Sequence, residues 1–111
     1  MDIAFAKKAL EKQANDLGLC KRKMGVSRAT IYHKRLVMLR AAQTLEDVRH
    51  LPGHFHELTA NRKGQWACDL GQPYRLIFEP QEEPIPTLVD GSYNWRAITA
   101  IRILEITDYH E

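Results

Sequence analysis

Cysteine is scarce in this sequence. Cys20 and Cys68 are the only two in 111 residues. They lie far apart, in no C-x-x-C or zinc-like spacing, which argues against a disulfide framework or a structural zinc centre. There is no apolar run long enough to span a membrane and no secretory pattern at the start, so a cytoplasmic protein without membrane contact is expected. Proline is also sparse. Three of the five prolines fall together at Pro80, Pro84 and Pro86, leaving Glu79 to Trp95 as the one long stretch where regular structure is excluded. Net charge is low, at +2, which by itself selects no partner.

What is present is ordinary in amount and uneven in placement. The chain is 44% hydrophobic and 27% charged, a globular balance that one domain spanning residues 1–111 can satisfy. Residues 1–63 carry 13 Lys/Arg against 6 Asp/Glu, and residues 64–111 carry 3 against 8. A basic half of this size suits an anionic partner, nucleic acid being the commonest, although a solvated helical face has the same composition.

Periodicity supplies the elements. Asp2 to Ala6 alternates as a short strand. Leu10, Ala14 and Leu17 are spaced as one face of a helix from Lys7 to Leu17, with Gly18 as its stop. Leu19 to Gly25 reads as a basic connector containing Lys21, Arg22 and Lys23. Ser27 suits the N-cap of a second helix reaching about Gln43, with Ala29, Tyr32, Leu36 and Leu39 inward. Thr44 and Asp47 resemble a weak capping box for a short turn.

The organising stretch is His54 to Phe78, HFHELTANRKGQWACDLGQPYRLIF. Trp66, Cys68 and Leu70 alternate with polar neighbours, as do Tyr74, Leu76 and Phe78. Asn61 to Gly64 and Gly71 to Pro73 read as turns. The result is a meander with one apolar face and one face left for other work. Ala97 to Thr107, apolar on both sides, reads as the central strand. The expected fold class is α+β, an N-terminal helical hairpin packed on a twisted antiparallel sheet.

His56-Glu57-Leu58, Arg62-Lys63-Gly64-Gln65-Trp66, Tyr74-Arg75-Leu76-Ile77-Phe78 and the terminal Asp108-Tyr109-His110 occur in one order. Together they resemble the HigB branch of the RelE/ParE toxin superfamily. The resemblance covers nearly the whole chain. It implies a type II toxin that cuts mRNA in the ribosomal A site and is held inactive by a cognate HigA-like helix-turn-helix antitoxin. The ribosome and mRNA are then the other partners. It places catalytic function on His56, Asp108, Tyr109 and His110, and phosphate binding on Arg75. The chain departs from the pattern at Thr59 and Ala60, where lysine and glycine are usual, so one basic contact of the pattern is absent.

These residue types suit the chemistry without a metal or cofactor. RNA carries its own nucleophile in the 2′-hydroxyl. Cleavage then needs groups that move protons near neutrality, the role of His56 and His110, and a planar cation for the phosphorane, the role of Arg75. Tyr109 can stack on a base or hydrogen-bond, and Asp108 can orient a histidine or act as a base. Lys21, Arg22, Lys23, Arg62 and Lys63 are the RNA-binding candidates. Each residue also has a plainer reading: surface histidines at His54 and His56, a salt-bridged strand arginine at Arg75, a frayed tail at the end. Trp66 reads as core, and Glu57 as water-facing or paired with a basic neighbour. His50, His54 and His56 match no zinc spacing. Two further readings stand beside the endonuclease. One is a ParE-like gyrase poison, which the terminal Asp-Tyr-His disfavours. The other is a non-catalytic RNA-binding module of the same fold.

Overall fold

The computed structural model describes residues 1–108. Strand β1 (Asp2–Phe5) leads into helices α1 (Lys8–Asn15), α2 (Leu17–Met24) and α3 (Val26–Ala41). A 3₁₀ turn (Glu46–His50) passes to β2 (His56–Glu57), β3 (Trp66–Asp69), β4 (Tyr74–Pro80) and β5 (Ala100–Asp108). The sheet order is β1-β5-β4-β3-β2. The last four strands form an antiparallel meander with β5 inside the sheet, as the sequence predicts. β1 differs: it joins β5 in parallel, Ile3 opposite Ile101. No hairpin links those two strands. β1 reaches the sheet edge only through the long connection over the helices, which allows a parallel pairing.

The helical half corrects the sequence reading in four places. The stretch expected as a connector, Leu19–Gly25, is instead the body of α2 as far as Met24 with Gly25 as its C-cap. Asp16 breaks the first helix with an extended backbone, and its side chain accepts the Leu19 N–H at 3.0 Å, capping the next one. Leu17, expected inward, opens α2 and is 41% exposed. Gly18 lies inside a helix, and the reversal falls instead at Gly25, with φ 88°. Only glycine adopts that angle cheaply. The third helix therefore starts directly at Val26, and Ser27 sits in its first turn rather than at its cap.

Ala29, Tyr32, Leu36 and Leu39 are buried as the inward stripe of α3. They pack in one core with Trp66, Cys68, Leu70, Leu76, Phe78, Ile101 and Ile103 from the sheet. Tyr32 satisfies its hydroxyl by donating to the Leu10 carbonyl at 3.0 Å. Half of the expected capping box forms: the Asp47 carboxylate accepts the Thr44 N–H at 3.1 Å. Burial pushes the Cys68 thiol far above its ordinary pKa, consistent with a core hydrophobe.

Why Ala97–Thr107 looks apolar on both sides is answered by a bulge. Register shifts between Ile77, opposite Glu105, and Phe78, opposite Ile103, so Leu104 is the extra residue. Ile101 and Ile103 face the helices before it, and Ile106 does so after it. Glu105 and Thr107 are thereby turned to the outer face.

Candidate active site

The helices cover one face of the sheet. The other carries the polar residues of the meander, though it is not bare, because Ala67 and Ile77 on it are fully buried. Across the strands the outer face runs His56 opposite Ala67, Ala67 opposite Ile77, and Ile77 opposite Glu105. The next row is Asp69 opposite Arg75 and Arg75 opposite Thr107. His56 and Arg75 therefore share a face. Two strand spacings and two residues of rise put their Cα atoms roughly 12 Å apart, a gap that two inward-reaching side chains can close around one phosphate.

The histidines are placed by the residue between them. Phe55 is 3% exposed and packs edge-on against Phe78, with ring centroids 6.3 Å apart. With Phe55 turned inward, the rings of His54, on the left-handed corner, and His56, the first residue of β2, lie together. Their rings stack with centroids 4.1 Å apart at 17°. His54 Nδ1 lies 3.8 Å from an Asp69 carboxylate oxygen. His54 and Asp69 are thus members of the cluster that the sequence motifs did not single out. The available signal was alternation alone: Asp69 and Arg75 both fall on the polar side of their strands.

Other predicted residues are distributed differently. Asp108 lies opposite Tyr74, on the helix-side face of β5 by register, whereas His56 and Arg75 are on the outer face. The bulge sets that phase. Tyr109 and His110 lie outside the described residues. Arg62 is engaged within the fold, donating to Gln65 at 2.8 Å and to Glu105 at 3.1 Å, while the Lys63 ammonium sits 5.6 Å from the Tyr93 ring centroid. Lys21, Arg22 and Lys23 are all exposed on α2. At the adjoining α2–α3 corner, the Arg28 guanidinium stacks 3.9 Å from the Tyr74 ring centroid.

Glu57 takes its plainer role. Its carboxylate accepts from Arg49 at 2.8 Å, and Arg49 also grips Glu46 at 2.9 Å and lies over the Trp66 ring. The Arg49 hydrogen bond holds the Glu46 carboxyl below the usual carboxylate range. Trp66 is core, fully buried and edge-on to Trp95. Among the described residues, no three His, Cys, Asp or Glu are grouped to hold a metal, and no helix is long and apolar enough to cross a membrane.

The departure at Thr59-Ala60 has a visible consequence. Ala60 has φ 56°, in the left-handed region. The position where the resembled pattern carries glycine still needs a glycine-like backbone, and here alanine adopts it.

Solved structures of YoeB-type toxins share this fold. A YoeB–YefM complex from Staphylococcus aureus matches with a TM-score of 0.59 at 14% identity, over 100% of this chain and 98% of the other. A YoeB/ParE toxin from Agrobacterium tumefaciens matches with 0.55 at 6%, over 99% and 100%. The YoeB dimer from S. aureus gives 0.55 at 15%, over 100% and 98%. No curated protein sequence matches significantly. Residues 3–90 match the family of HigB-like toxins, described as RelE-like toxins of the type II toxin-antitoxin system HigB. The chain belongs to this family.

Proposed function

We propose that the chain is an endoribonuclease that cuts mRNA on the ribosome without a metal, and that a HigA-like helix-turn-helix antitoxin restrains it. The observation that carries this reading is the outer sheet face, where His56, suited by its chemistry to proton transfer, and Arg75, suited to holding a phosphate, stand on neighbouring rows beside Asp69. Family membership supports the same class of activity, and the YoeB–YefM complex supports an antitoxin as partner.

In this scheme the 2′-oxygen loses its proton to one histidine and attacks the adjacent phosphorus. Arg75 holds the non-bridging oxygens as negative charge grows. The bond to the 5′-oxygen breaks, and that oxygen takes a proton from a second group. The products are a 2′,3′-cyclic phosphate and a 5′-hydroxyl. His56 supplies one proton-transfer group. The resemblance assigns His110 and Tyr109 to the remaining roles. Lys21, Arg22 and Lys23, with Lys63, supply contacts to the RNA backbone.

A defined translation system tests this. Message should be cut in the ribosomal A site only when ribosomes are present, leaving cyclic phosphate ends. Cleavage of naked RNA at a similar rate would remove the ribosome-dependent mechanism. DNA breaks with intact message would replace it with gyrase poisoning.

A further inference from the structure

The corner before β2 contains two residues in the left-handed half of backbone space, Gly53 at φ 118° and His54 at φ 54°. A non-glycine residue holds such a conformation only where its surroundings over-determine it. Here they do. The Gly53 carbonyl accepts the Asp69 N–H at 2.8 Å, docking the corner on β3. Arg35 Nε donates to the Asp69 carbonyl at 2.9 Å, and its guanidinium lies so close to Gly53 that a Cβ there would meet it at 2.6 Å. Phe55, immediately after, is locked in the core. The His54 ring is held between the His56 ring and the Asp69 carboxylate.

The product of this corner is a carbonyl aimed at a ring: His56 Nδ1 is 2.8 Å from the His54 oxygen. A carbonyl only accepts, so Nδ1 must carry the proton of that bond. In the neutral ring, Nε2 is then the nitrogen with the free lone pair. A histidine without such a partner favours the opposite tautomer. We infer that His54 is a positioning residue: its left-handed backbone holds His56 as the Nδ1–H tautomer and offers Nε2 to the RNA. The tautomer part stands on geometry alone, and the RNA part rests on the endonuclease reading above.

Nitrogen-15 NMR of the histidine rings in the full chain, at about pH 8, where free histidine is neutral, reads the tautomer directly. His56 should show a protonated Nδ1 and an unprotonated Nε2. His54→Gly keeps the backbone conformation at no steric cost, whereas His54→Val penalises it. The Gly variant should therefore retain the Nδ1–H signature and the Val variant lose it. Single-turnover cleavage on saturated ribosomes should be on the order of tenfold slower for Val than for Gly, matching the steric penalty of the left-handed region, with ribosome binding alike. An Nε2–H signature in the unmodified chain overturns the inference, whatever the stability of the variants. So does a Val variant that folds and keeps Nδ1–H. A chain with the predicted tautomer and no ribonuclease activity would sink the endonuclease reading and leave the tautomer assignment intact.

Discussion

Arg75 and His56 are expected to fail in different ways when changed. His56→Ala removes a proton-transfer group and should slow single-turnover cleavage by about 10²- to 10⁴-fold while ribosome binding persists. Arg75→Ala should also act on the chemical step, at a cost on the order of a few kcal/mol. Arg75→Lys should recover only part of it, because an ammonium lacks the planar fork. Wild-type rates for both alanine variants would dismiss the assignment. Ala60 gives a prediction about stability instead. Its φ of 56° is strained for alanine and free for glycine. Relief of about 1–2 kcal/mol of left-handed strain, less glycine's greater freedom in the unfolded chain of about 0.5–1 kcal/mol, should make Ala60→Gly more stable by roughly 0.5–1 kcal/mol in urea denaturation. A loss of stability would show that Ala60 is held by contacts glycine cannot make. At this scale His56 and Arg75 were legible in the sequence because short motifs resembling those of a toxin family contain them, while strand alternation gave only the face of Arg75. His54 and Asp69 were not, because their meeting depends on a backbone corner that no periodicity reports.

At the level of elements, α2 changes how the basic run is presented. Lys21, Arg22 and Lys23 are fixed on a capped helix and not spread along a flexible connector. Neutralising all three should weaken ribosome binding and flatten its dependence on salt, since fewer counterions are released on contact. Unchanged binding across a salt series would make them solvated surface. The helix itself depends on its cap. Asp16→Ala frees the Leu19 N–H and should cost about 1 kcal/mol of stability, seen as a lower urea midpoint with unchanged slope. A midpoint that does not move would mean that burial of Cys20 and contact with α3 hold α2 unaided. The sequence reading missed this helix because Gly18 resembles a stop signal, and a three-residue side-chain cap can restart a helix before any stop takes effect.

At the scale of the whole molecule, the Arg49 ion pairs make stability depend on pH on the acid side. Arg49 ties Glu46 to Glu57 on β2, and Glu46 has its pKa lowered in the folded chain. A lowered carboxylate adds stability that is present above its unfolded pKa and lost as pH falls through the folded one. Glu46→Gln should therefore be less stable than the parent near neutral pH, and the gap should close as acid protonates the parent. A gap independent of pH would assign the loss to packing. In cells, expression of the chain alone should arrest growth by stopping translation, and co-expression of the antitoxin should lift the arrest.

The sequence by itself determined most of the strands, the inward stripe of α3 and the inward residues of β3 and β4. Alternation fixes inward and outward positions along a strand, helical spacing fixes the stripe of α3, and the order of short motifs points to the toxin family. Tertiary structure decided which outward residues meet. The parallel docking of β1, the bulge at Leu104 that turns Thr107 outward and Asp108 toward Tyr74, and the clamped corner at Gly53-His54 all arise from contacts between distant segments. Their positions follow from how the strands and helices close on one core, and local pattern carries no record of that closure.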